Sequence, residues 1–94
     1  MGFLPEAGPP PSYFCKGDPV EFHRDWDPGF APDDPFYSPP VPAGSRGEVL
    51  EVGSDYVRVR MQDVKRWARP LIVWAEGRFP DRVSGGLSCL RKSG

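Results

Sequence analysis

The chain has 94 residues, 38% of them hydrophobic, and a formal net charge of −1. That length allows one domain with a small core, burying roughly 60–65% of the surface its unfolded chain exposes. No apolar run reaches the about 18 residues of a membrane span, the start Met-Gly-Phe-Leu-Pro-Glu lacks the basic and apolar regions of a secretory signal, and Glu6 stands where an N-myristoylation motif needs Ser or Thr, so a cytoplasmic chain with no membrane partner is expected.

Eleven of the 13 prolines lie at or before Pro42. Residues 1–14 read as a Pro/Gly-rich arm, and residues 15–94 as the folded domain. Within the arm, Pro10-Pro11-Ser12-Tyr13 matches a Pro-Pro-x-Tyr ligand, a short pattern that an extended loop also produces. Lys16-Gly17-Asp18-Pro19 is a turn signal, and Val20-Glu21-Phe22-His23-Arg24 alternates as a first strand with Val20 and Phe22 inward. A long loop follows from Asp25 to Ser45, rich in proline and carrying Trp26, Phe30, Phe36 and Tyr37. A structureless stretch of about 20 residues is unusual in a compact domain and is often functional.

The clearest element is a hairpin. Its strands run over about 46–52 and 55–62, joined at Gly53-Ser54-Asp55, where a glycine can take positive φ. In the second of these strands Val57, Val59 and Met61 share one face, and Tyr56, Arg58 and Arg60 the other. Gln62 to Arg69 holds Lys65, Arg66, Trp67 and Arg69. Leu71-Ile72-Val73-Trp74-Ala75 is a fourth strand, apolar on both faces and so expected to be central or covered. Val83 to Leu87 allows a short 3-10 turn, and Ser88 to Lys92 a last short strand. There is no internal repeat and no helical pattern.

Five short strands, a long first loop, a tight hairpin between the second and third, and a turn before the last resemble an SH3-like barrel. The residues that carry the resemblance are Gly17-Asp18-Pro19-Val20, Arg46-Gly47-Glu48-Val49 and the hairpin, which are similar to KOW-type and related bacterial SH3-like domains. The resemblance covers residues 16–92 at the level of architecture. It implies a small, five-stranded, antiparallel β barrel, and fold likeness of this kind transmits no function.

The charge is uneven. Residues 1–44 hold two basic and seven acidic side chains, a net of −5, and residues 45–94 hold ten basic and six acidic, a net of +4. The halves either attract each other within the fold, the favoured reading, or face partners of opposite sign. Cys15 and Cys89 lie near opposite ends. A cytoplasmic chain favours unlinked thiols in the core or on strands, with a disulfide the alternative. His23 reads as an outward strand residue rather than a catalytic base, and Asp25, Asp27, Asp33 and Asp34 as turn carboxylates rather than a cation site.

No phosphate loop, zinc spacing, nucleophile motif or cofactor motif is present. The Val-Gln-Ile-Tyr run of the plasmid-type dihydrofolate reductases, an SH3-like enzyme family, is absent. The expectation is a non-enzymatic protein-interaction module. Trp26, Phe30, Phe36 and Tyr37 supply loop aromatics beside a basic strand face of Tyr56, Arg58, Arg60, Lys65, Arg66, Trp67 and Arg69. The first alternative is a KOW-like nucleic-acid binder, whose cations hold phosphates while aromatics stack on bases. The second is a small-molecule or catalytic site formed in a homo-oligomer.

Overall fold

The computed structural model describes residues 9–29, 32–35, 37–75 and 85–93. Among them are five antiparallel strands and two 3-10 turns. The strands are β1 (Pro19–Phe22), β2 (Arg46–Val52), β3 (Tyr56–Met61), β4 (Leu71–Trp74) and β5 (Leu90–Lys92). They form one sheet in the order β4-β3-β2-β1-β5, which leaves β4 and β5 as its edges. No helix among the described residues is long and apolar enough to cross a membrane.

The period-2 pattern is what builds this sheet. In β3 the inward Val57, Val59 and Met61 are buried while Arg58 and Arg60 are exposed. Val20, Phe22, Val49, Leu71, Val73, Leu87 and Leu90 complete the core from the other elements. β2 and β3 pair from Gly47↔Met61 to Val52↔Val57, with a bulge between Val49 and Glu51 that leaves Leu50 as the extra residue. A bulge bends and twists a strand locally.

The hairpin turn is reached differently from the sequence expectation. Gly53 has no positive φ; among the described residues the glycines that do are Gly17, Gly29 and Gly44. Gly53 is needed for space, because a Cβ there would collide with the Tyr56 ring. Gly44, at φ +94°, turns the chain into β2 in a region that side chains rarely adopt.

Of the two expectations for β4, central or covered, the first does not hold. It is an edge strand rather than a central one, with Leu71 and Val73 buried and Ile72 and Trp74 half-buried. Its apolar outer face is partly covered by its neighbour, since the Tyr56 and Trp74 rings lie 5.7 Å apart at 59°. A 3-10 turn spans Leu87–Cys89 and β5 starts at Leu90, so β5 is shorter than expected; the start of the turn expected from Val83 lies outside the described residues.

The long loop is tied down at its base. Phe22 and Gly44 are joined by a 2.7 Å bond, Trp26 and Val41 exchange two backbone bonds of 2.7 and 2.8 Å, and the Asp25 carboxylate accepts the Ala43 N–H at 2.7 Å. The described end of the arm is anchored too: Pro11–Tyr13 form a 3-10 turn, with Pro11 and Phe14 buried and Lys92 over the Tyr13 ring at 4.4 Å. A Pro-Pro-x-Tyr ligand needs an extended polyproline stretch, which this turn is not.

Ion pairs join the acidic and basic halves, Glu21 with Arg91 at 3.2 Å and Asp18 with Lys92 at 3.7 Å. The cysteines are unlinked: Cys89 is buried and Cys15 is exposed, in a loop rather than in the core or on a strand. His23 is exposed just beyond β1. Asp27 accepts the Gly29 N–H, an Asx turn, and no group of acidic, His or Cys residues among those described is arranged to hold a metal.

Candidate functional site

A groove of about 540 Å³ opens between the long loop and the β3–β4 connection. The loop lines it with the edge of Trp26, with Tyr37, and with Pro28, Pro32, Pro35 and Pro39; the connection supplies Arg66, Trp67 and Arg69. Prolines fix φ and carry no N–H, so this wall is stiff and has few backbone donors to satisfy.

The opposite wall is set by Asp63. Its carbonyl accepts the Trp67 N–H at 3.0 Å and its carboxylate accepts the Arg66 N–H at 3.2 Å. This tight turn buries Trp67 and leaves Arg66 exposed beside it. The Arg66 guanidinium lies 5.0 Å from the Trp67 ring centroid and donates to the Pro40 carbonyl at 3.1 Å, which links the two walls. The Trp67 indole nitrogen is buried with no acceptor among the described residues. Tyr37, 42% exposed, presents its ring at the surface.

Trp26 is mainly a structural residue. It is 3% exposed, stacks on Phe22 at 5.8 Å and 9°, and packs on Gly86, where any Cβ would meet its ring. The groove receives only part of its surface.

The expected site therefore divides in two. Trp26, Tyr37, Arg66, Trp67 and Arg69 meet at the groove, with Lys65 exposed on the connection next to it. Tyr56, Arg58 and Arg60 do not line it. They sit on the outer face of β3, which is a mixed-charge face: Arg58 bonds Glu51 at 3.4 Å, and Arg60 stands opposite Glu48 in the β2–β3 register. Burial pushes the Tyr56 phenol above its ordinary pKa, and Glu51 adds to the shift through its charge and a hydrogen bond. Phe30 and Phe36 lie outside the described residues.

Several groove residues were not anticipated as site residues, among them Pro70, Leu71 and Ile72. The strand they open was legible, but its place at the sheet edge depends on strand order, which no local pattern encodes. No family model matches the chain, nor does any curated protein or any solved structure.

Proposed function

We propose that this chain is a non-enzymatic protein-interaction module that binds its partner in the groove between the Pro-rich loop and the Lys65–Arg69 segment. The observation that carries this reading is the wall itself: an exposed aromatic, Tyr37, and two arginines, Arg66 and Arg69, around an apolar floor of Trp67, Pro70 and Leu71. Tyrosine, tryptophan and arginine are the residues on which interfaces concentrate binding energy. The domain belongs with SH3-like barrels in this reading. Five antiparallel strands with the first beside the last support it, although no hydrogen-bonded closure joins β4 to β5 among the described residues.

The test is capture of partners from the native host with the tagged chain, with and without nuclease, using the wild type and Tyr37→Ser. A protein recovered despite nuclease and lost with Tyr37→Ser supports the module. Recovery that vanishes with nuclease, and that Tyr37→Ser leaves intact, moves the function to nucleic acid.

A further inference from the structure

The groove meets the start of β4, an edge strand of the sheet among the described residues. In an antiparallel ladder, opposed residues alternate between pairs that exchange hydrogen bonds and pairs that do not. The Ala75 N–H bonds the Asp55 carbonyl, whereas the Trp74 carbonyl turns the other way and accepts the Gly86 N–H. The register Tyr56↔Trp74, Val57↔Val73, Arg58↔Ile72, Val59↔Leu71 then fixes the phase. Val73 and Leu71 direct their N–H and C=O towards β3, and Ile72 directs both of its groups outward. Gly86 covers the far end of this edge at Trp74. Among the described residues nothing pairs with the backbone of Ile72. The groove reaches β4 at its first two residues, Leu71 and Ile72, whose side chains point to opposite faces of the strand.

The charges beside this edge are mainly basic: Arg66 and Arg69 line the groove, against one acidic side chain, Asp34. Elsewhere Arg58, Arg91 and Lys92 each have a carboxylate partner. Among the described residues Lys65, Arg66 and Arg69 form no ion pair, and all three are exposed. Arg69 stands two residues before β4 begins, next to the open edge.

We propose that the outer edge of β4 receives an extended, acidic segment of a partner protein as an added strand. The added strand bonds the N–H and C=O of Ile72, places an apolar side chain over Trp67 and Tyr37, and sets a carboxylate near Arg69 and Arg66. Main-chain bonds give such pairing its affinity, and pockets for alternate side chains give its specificity. This inference rests on the reading of the groove as a protein-binding site and names the form of its ligand.

The test is titration of the full chain with a short synthetic peptide alternating valine and glutamate, read by NMR as amide shifts and hydrogen exchange. Three controls are the same peptide with lysine for glutamate and two versions N-methylated on alternate residues, which delete one or the other row of peptide N–H groups. The Ile72 amide is expected to exchange at least about tenfold more slowly with the parent peptide. One N-methylated version should lose binding while the other keeps it, and the lysine peptide should bind at least about tenfold more weakly. Equal binding of both N-methylated versions overturns strand addition but leaves the groove a protein site. Lysine and glutamate peptides binding alike overturns the acidic partner. No change at Ile72 up to millimolar peptide overturns the proposal, as does an Ile72 amide already protected in a dimer of the free chain, where a second copy occupies the edge. Loss of the Tyr37-dependent capture described above would instead remove the reading on which the proposal stands.

Discussion

Replacing Gly86 with alanine isolates a single packing contact, and the sign of its effect is decided by geometry. Gly86 sits at φ −115° and ψ −5°, a conformation open to any residue, so the backbone itself resists nothing. At such a site Gly→Ala normally stabilises by about 0.4–1 kcal/mol, by restricting the unfolded chain. Here a Cβ would stand 2.6 Å from Cε2 of Trp26 and 2.9 Å from Cδ2 and Cζ2. Carbon atoms pack best at about 3.5–4.0 Å, so the ring must retreat by roughly 1 Å. It has little room to do so, being stacked on Phe22 and carried by a backbone doubly bonded to Val41. Overpacking of this kind costs about 1–3 kcal/mol, and the net expectation for Gly86→Ala is a loss of about 1–2 kcal/mol. For a domain of this size that lowers the melting temperature by roughly 4–16 °C, measured by circular dichroism on heating and checked by urea unfolding. In a Trp26→Leu background the obstacle is gone, and the same substitution should be neutral or stabilising. A higher melting temperature for Gly86→Ala alone, or an equal loss in both backgrounds, would refute the argument that the indole ring occupies this space.

Three further outcomes follow from the same geometry. The raised pKa of Tyr56 favours its neutral form in the folded state, so the stability it contributes is full below pH 10.0 and lost as pH rises through the folded value. Urea unfolding on either side of that pH should show Tyr56→Phe losing less stability in alkali than the wild type. The Glu51–Arg58 pair is about half exposed on both sides and makes one contact at 3.4 Å, so a double-mutant cycle should give less than about 1 kcal/mol, diminishing with salt. Asp25→Ala removes the acceptor of the Ala43 N–H at the base of the long loop. It should cost about 1 kcal/mol and speed amide exchange at Ala43, Trp26 and Val41; unchanged exchange at these amides would mean the carboxylate does not hold the loop.

Local pattern made the strands legible, and long-range pairing is why the rest was not. β2 was read over the residues it occupies and β3 to within one residue at each end, because Val57, Val59 and Met61 announce a buried face by their spacing. β4 misled because an apolar run looks alike whether it is central or at an edge. What covers its second face is Tyr56, from another strand, and what covers its end is Gly86, twelve residues further on. The long loop looked unstructured because proline hides periodicity, while its fastening depends on a bridge between Trp26 and Val41 that only the fold creates. For the site, residue types were informative and placement was not. Aromatics and cations were picked out together, yet Arg58 and Arg60 belong to β3 and Arg66 and Arg69 to the connection after it.

That division bears on what the chain binds. A β face of cations alone would attract polyanions along its whole length, with affinity falling steeply in salt. The outer face of β2 and β3 is not such a surface, because Glu48 and Glu51 stand opposite Arg60 and Arg58 and cancel them locally. Arg66 and Arg69, which form no ion pair among the described residues, lie beside a groove lined mostly by apolar residues and beside a strand edge whose Ile72 backbone groups point outward. Phosphates accept hydrogen bonds but donate none, so a nucleic-acid backbone matches the arginines and not the Ile72 carbonyl. An extended polypeptide supplies both a donor and an acceptor at the strand's own spacing. The combination of local charge, apolar floor and unpaired backbone therefore favours a protein partner over a nucleic acid.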